Sequence, residues 1–162
     1  QAFKIIKILD QISYDIIITY PNMDPGGLFI HEELKRYAAK NNNKITYVEK
    51  LEKNYFSHLI NCLCLIGNSS SGILEANLAS KISINIGNRQ NGRLRSKSIV
   101  DVPYSEKEFS ISFEGIKEKY KELSHNDFNS PYFMEESINL IEEFLINICL
   151  LKNINKIKVN NF

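Results

Sequence analysis

An excess of charge of either sign is the first thing missing from this chain. Its 20 basic and 19 acidic side chains leave a net charge of +1, so no overall field draws in a nucleic acid or an anionic membrane surface, and any binding must be local. No apolar run approaches the length needed to span a bilayer. No cleavable signal pattern opens the sequence, and the expectation is a cytoplasmic protein without nucleic-acid or membrane partners. Cysteine is scarce and odd in number: Cys62, Cys64 and Cys149. Two of them lie in an apolar run, with neither paired spacings nor histidines behind them, which excludes a zinc-type cluster and leaves core thiols in a reducing compartment. His31, His58 and His125 have no partner at metal spacing and read as surface or core histidines. Neither a metal nor a cofactor is expected.

What is present is a hydrophobic content of 43% over 162 residues, enough for one sizeable core. Apolar spacing predicts a helix over 2–12, and the β-branched run at 15–20 suits a strand buried on both faces. The turn-rich PNMDPGG ends that strand. A helix over 28–40 follows, with Leu28, Phe29, Leu34, Tyr37 and Ala38 available for its buried side. The pattern then gives a strand at 45–48, a helix at 51–59, a strand at 63–67, a helix at 72–79, and strands at 82–87 and 98–102. Helices over 107–123 and 132–151 complete it. Residues 1–152 are expected to form one domain, incomplete at its amino terminus because a helical stretch is already under way at Gln1, with 153–162 a loosely held tail. Strands alternating with helices at these intervals argue for an α/β fold, a Rossmann-like parallel sheet with helices on both faces. In such sheets ligands sit beyond the carboxyl ends of the strands. Three polar loops fall there: PNMDPGG, GNSSSG and GNRQNGRLR.

GNSSSG joins a strand to a helix. Unpaired N–H groups at a helix start, the peptide dipoles and serine hydroxyls together suit a diphosphate. Serines also cap helices, but three in a row between glycines exceed what a cap requires. Glu75 lies four residues after Ser71, out of register for a capping box with any of the serines. Either it gains from the helix dipole or it accepts hydrogen bonds from neutral hydroxyls such as those of a ribose. Arg89, Arg93 and Arg95 offer planar guanidinium forks that match phosphate oxygens, and Arg89 is nearest the strand end. Asn22 and Asp24 sit in a turn where such residues are common for conformational reasons alone.

With those residues in hand, the chain resembles the carboxyl-terminal half of the UDP-N-acetylglucosamine 2-epimerases, which have the two-domain GT-B type fold. The matching segments are YPNMDPGG, IGNSSSGILEA and INIGNRQNGRLRS, covering residues 20–102 together with the strand that follows them. INIGNRQNGR followed by apolar SIVDV is similar to the hydrolysing branch, which releases N-acetylmannosamine or a related 2-acetamido sugar for sialic acid-like sugars. The threonine-glutamate-arginine-proline stretch typical of the non-hydrolysing branch is absent. The resemblance implies that Ser69 and Ser70 hold the diphosphate, with Gly72 in the same nucleotide-binding loop, and that Glu75 holds the ribose. It makes Asn22 and Arg89 nucleotide contacts, places Lys50, Leu51 and Tyr55 near the uracil, and leaves Asp24 and Arg93 as phosphate or interdomain contacts. Where the family often carries prolines, this chain has Asn77 and Ile82.

The catalytic carboxylates of that family lie in its amino-terminal domain, and no residue here matches them. The resemblance therefore implies a UDP-sugar substrate, an amino-terminal catalytic domain of the same protein as partner, and a homo-oligomer as the full-length enzyme. This chain alone would bind UDP without turnover. A donor-nucleotide domain of a GT-B glycosyltransferase and a non-catalytic sugar-nucleotide-binding module are the alternative readings.

Overall fold

The computed structural model describes residues 2–21, 26–49, 51 and 54–150. The PNMDPGG turn, the residues around Lys50 and the tail expected at 153–162 thus fall wholly or largely outside the described residues. Two compact units divide the chain, residues 1–131 and 132–162.

Within the first unit, helix α1 (Ala2–Leu9) leads into strand β1 (Ile16–Thr19), helix α2 (Gly27–Lys40) and strand β2 (Ile45–Val48). Helix α3 (Tyr55–Asn61) precedes β3 (Leu65–Gly67), a short α4 (Ser71–Leu74), β4 (Ser83–Ile86) and β5 (Ile99–Val102). Helices α5 (Glu106–Glu114) and α6 (Ile116–Glu122) and a 3-10 turn (His125–Phe128) close the unit, and α7 (Ser137–Leu150) belongs to the second.

Among the described residues every strand pairing is parallel, as the alternation predicts, and the fold is α/β with Rossmann-like connectivity. The strands form two ladders, β1-β2 and β3-β4-β5. One apolar cluster underlies both, running from Ile8 and Ile12 through Ile18, Leu34 and Ile45 to Ile82, Ile84, Ile86, Phe109 and Ile116. Strand β4 is buried at all four positions, as befits the centre of its sheet. Helix α4 packs on β3 and β4, α5 on β5, α2 on β2, and α1 touches both α2 and α5.

Several expected boundaries and faces differ. β1 is not covered on both sides: Ile18 is buried while Ile17 and Thr19 are exposed. Helix α2 turns Gly27, His31, Leu34 and Ala38 inward and leaves Leu28 and Phe29 exposed. His31 takes the inward position because its ring has a partner, its Nδ1 lying 2.5 Å from the Tyr47 hydroxyl on β2. The long helix expected at 107–123 breaks at Gly115, where glycine costs about 1 kcal/mol relative to alanine in a helix.

The helix expected at 72–79 is one turn: Ala76 N donates to the Ser71 carbonyl at 3.0 Å instead of to Gly72, so the helical ladder lapses there, and just beyond it Asn77 Nδ2 donates to the Ile73 carbonyl at 2.9 Å. Tyr120 on α6 fastens the amino ends of the central sheet. Its hydroxyl accepts from Ile82 N at 3.0 Å and donates to the Leu63 carbonyl at 2.7 Å.

Candidate functional site

Because β3, β4 and β5 are parallel, the loops after Gly67, Ile86 and Val102 emerge at one edge of one sheet. Two of the three loops picked out by sequence meet there. The carbonyl of Asn68, just past β3, accepts from Arg89 Nη1 at 3.1 Å and from Gln90 Nε2 at 2.8 Å. The Asn68 side chain is held as well, its Nδ2 donating to the Tyr104 hydroxyl at 3.2 Å. Tyr104 in turn lies against Gly87. A Cβ built on that glycine would sit 2.3 Å from a ring carbon, and its φ of +81° suits glycine alone. The third loop, with Asn22 and Asp24, lies outside the described residues, as does Lys50.

The β4–β5 connection has no helix of its own, so its backbone polar groups need other partners. Arg95 supplies them, donating from Nη2 to the Gln90 carbonyl at 2.9 Å and from Nη1 to the Arg93 carbonyl at 2.5 Å. Its Nε meets Asp101 Oδ2 at 3.0 Å. Burial of Asp101 works to raise its pKa, but hydrogen bonds from Arg95 and Asn85 and the Arg95 charge outweigh it and hold the carboxyl below its ordinary value. Of the three arginines, Arg95 is thus committed to the loop itself, while Arg89 and Arg93 are exposed.

Behind the serine loop runs a chain of hydroxyls. Tyr55, on the first turn of α3, is hydrogen-bonded to Ser71 Oγ, which donates to Glu75 Oε2 at 2.5 Å. This joins two residues singled out separately, Tyr55 and Glu75, through a serine that was not. Burial pushes the Tyr55 phenol up to about 12; the Ser71 hydrogen bond opposes the rise and Glu75 adds to it. The phenol is therefore protonated at neutral pH. Glu75 sits at the carboxyl end of the one-turn α4, where the dipole would oppose a carboxylate, so the dipole explanation for this residue falls. A four-residue helix also carries little macrodipole. Anion binding in this loop would rest on individual N–H groups, hydroxyls and Arg89.

Ser69 is exposed and its Oγ accepts from Ser71 N at 3.3 Å; Ser70 is half-buried and caps nothing with its side chain. Gly72 is buried, and a Cβ there would meet Ser83 Oγ at 2.5 Å, so its structural task is the close approach of α4 to β4. Leu51 is half-buried, with its carbonyl accepting from Asn54 N at 2.8 Å. Cys64 is partly buried, its thiol pushed up to about 12 by burial, in keeping with an inert core cysteine. Cys149's side chain lies outside what is described. Among the described residues no His, Cys, Asp or Glu cluster is arranged to hold a metal, and no helix is long and apolar enough to cross a membrane.

Sequence reasoning missed Gln90, Tyr104, Asp101 and Asn85. Asn85, whose Nδ2 donates to Asp101 Oδ1 at 2.6 Å, carried a readable signal as a polar residue in the apolar strand SINI. Gln90 is 3% exposed, yet it lies within a polar loop that offered no such contrast.

A parallel α/β sheet with a serine-glycine loop and an arginine loop meeting at its carboxyl edge is a Rossmann-like arrangement, the class in which ligands sit at that edge. The family model for UDP-N-acetylglucosamine 2-epimerase matches residues 1–146. The chain belongs to that epimerase family. It is 37% identical over 117 residues to the GDP/UDP-N,N'-diacetylbacillosamine 2-epimerase (hydrolyzing) of Campylobacter jejuni, covering 71% of this chain and 30% of that protein. It is 32% identical over 153 residues to polysialic acid biosynthesis protein P7 of Escherichia coli, 88% of this chain and 38% of the relative. The UDP-N-acetylglucosamine 2-epimerase of Neisseria meningitidis shares 36% identity over 107 residues, 65% of this chain and 28% of that protein. The chain spans about a third of the length of these relatives.

Proposed function

We propose that this chain is the UDP-binding, carboxyl-terminal half of a hydrolysing UDP-N-acetylglucosamine 2-epimerase. The observation that carries the reading is the junction at Asn68, which brings Arg89 beside the serine loop at the sheet edge where ligands of such folds bind. Ser69, Ser70 and Arg89 hold the diphosphate, Glu75 the ribose, and Leu51 and Tyr55 line the uracil side. Asn22, Lys50, Asp24 and Arg93 complete the nucleotide and interdomain contacts. A relative whose name includes "hydrolyzing" supports the branch.

In that reaction a base outside this chain removes the proton on C2 of the sugar while the bond from C1 to the diphosphate oxygen breaks, giving a glycal and UDP. Water then adds at C1 and a proton returns to C2 on the opposite face, so UDP-N-acetylglucosamine and water become N-acetylmannosamine and UDP. This chain stabilises the leaving group, because negative charge grows on the β-phosphate as the bond breaks and fixed donors meet it there. The paired acid and base belong to an amino-terminal domain, and the whole enzyme works as a cytoplasmic homo-oligomer.

The test is calorimetry with UDP on the 162-residue chain, then product analysis with the full-length protein. Binding of UDP by the chain without turnover, and release of a free epimerised sugar by the longer protein, are expected from UDP-N-acetylglucosamine or its N,N'-diacetyl counterpart. A folded chain that ignores UDP refutes the assignment, as does sugar transfer to an acceptor without free sugar.

A further inference from the structure

The junction at Asn68 does more than bring two loops together. A trans peptide is planar, with its C=O and N–H pointing in opposite directions, and no described peptide bond is cis. Whatever holds the Asn68 carbonyl therefore also aims the N–H of Ser69. That carbonyl is held from one side, by Gln90 Nε2 at 2.8 Å and Arg89 Nη1 at 3.1 Å. The direction of the Ser69 N–H is thereby fixed by those two donors, and it donates to no acceptor among the described residues.

Of the two donors, Gln90 is the better fixed. It is 3% exposed, against an exposed Arg89. Its amide orientation is settled by chemistry, since a carbonyl only accepts and the NH2 end must face Asn68. That orientation leaves Gln90 Oε1 buried without a partner, a cost of the kind retained when geometry matters. Gln90's backbone is anchored too, its carbonyl accepting from Arg95 Nη2 at 2.9 Å, and Arg95 is tied to Asp101. The line Asp101–Arg95–Gln90–Asn68 thus runs from the sheet to the peptide in front of the serines.

We infer that Gln90 is a positioning residue for anion binding: by holding the Asn68 carbonyl it keeps the Asn68–Ser69 peptide turned so that the Ser69 N–H is presented to a phosphate group. The inference rests on the proposed diphosphate role of the serine loop. With Gln90's donor removed, one exposed arginine is left to hold the carbonyl, and the peptide is free to rotate its N–H away before the anion arrives. A donor that must first be reoriented contributes less to binding than one already in place.

The experiment compares UDP with uridine, which shares base and ribose but lacks phosphate, on the 162-residue chain and on Gln90→Met, which preserves shape without the donor. The expected result is UDP affinity weakened roughly tenfold, about one charge-assisted hydrogen bond's share, with uridine affinity unchanged. In the unsubstituted chain the Ser69 amide resonance should move on adding UDP and stay still with uridine. If Gln90→Met binds UDP as the parent does, or loses UDP and uridine equally, the inference is overturned and the proposed function stands. If the parent chain does not prefer UDP to uridine, both fall. A Ser69 amide indifferent to UDP overturns the inference without reliance on any variant.

Discussion

Replacing Asn77 with alanine tests how the site loops are supported from behind. The Asn77 side chain is buried, at 4% exposure, and makes three hydrogen bonds. Its Nδ2 donates to the Ile73 carbonyl at 2.9 Å, and its Oδ1 accepts from Ser96 Oγ at 2.8 Å and from Ser98 Oγ at 2.7 Å. It thereby ties the segment after α4 to the far end of the arginine loop. Alanine removes one donor to the Ile73 carbonyl and the acceptor of two hydroxyls, one on the fully buried Ser98, although the serines keep each other at 2.8 Å. At about 1 kcal/mol per bond, with more for a group left buried and unpaired, the loss is about 2 to 4 kcal/mol. A domain of this size shifts by about 3 °C or more per kcal/mol, so the thermal midpoint should fall by at least about 6 °C. Calorimetry on Asn77→Ala, Ser98→Ala and the double variant measures both the loss and its coupling, expected at about 0.5 to 3 kcal/mol. A midpoint within about 2 °C of the parent, too small for even one stranded buried group, would refute the reasoning.

Tyr120→Phe removes the hydroxyl that serves Ile82 N and the Leu63 carbonyl, and should lower stability by about 1 to 3 kcal/mol, read from the denaturant midpoint at unchanged slope. Gly87→Ala forces a side chain into the left-handed region at about 1 to 2 kcal/mol and against the Tyr104 ring, so it should cost more than that figure and weaken UDP binding by loosening Asn68. The Asp101 carboxyl has its folded pKa below the ordinary 3.8. On acidification the unfolded chain takes up its proton first, so the stabilisation is complete above that value and is lost as pH falls through the folded pKa. Asp101→Asn should accordingly differ from the parent in urea titrations at neutral pH and converge with it in strong acid. Ser70→Ala and Arg89→Ala should each weaken UDP binding by about 1 to 3 kcal/mol, and unchanged affinity in both variants would remove the diphosphate from this loop.

What could be read in the sequence was whatever has a local period or a local motif. Strand β4 appears as ISINIG, and the two loops announce themselves by serine and arginine between glycines. The inward face of α2 was legible at Leu34 and Ala38, but not at its start, where the apolar Leu28 and Phe29 are exposed and His31 is buried, a choice that lies with Tyr47, sixteen positions beyond His31. The length of α4 depended on where the Ala76 N–H goes, to Ser71 instead of Gly72, which propensity does not settle. At the site, the residue types expected to touch a nucleotide stood out, while those that hold them did not. Arg95 looked like a third phosphate ligand until Asp101 was beside it, and Gln90 had nothing in its neighbourhood to distinguish it.

The Tyr120 hydroxyl has a consequence for the order in which this chain can assemble. It reaches 38 residues back to Ile82 and 57 back to Leu63, spans over which loop closure is slow. During synthesis β3 and β4 emerge well before α6, and until then the Ile82 N–H and Leu63 carbonyl stand open at the amino edge of the new ladder. In a chain stalled short of residue 120 those two groups have only water to bond, and the amino ends of β3 and β4 lack the bridge that fastens them in the finished chain. Tyr120 thus acts late, fixing the amino ends of a ladder whose strands are already made.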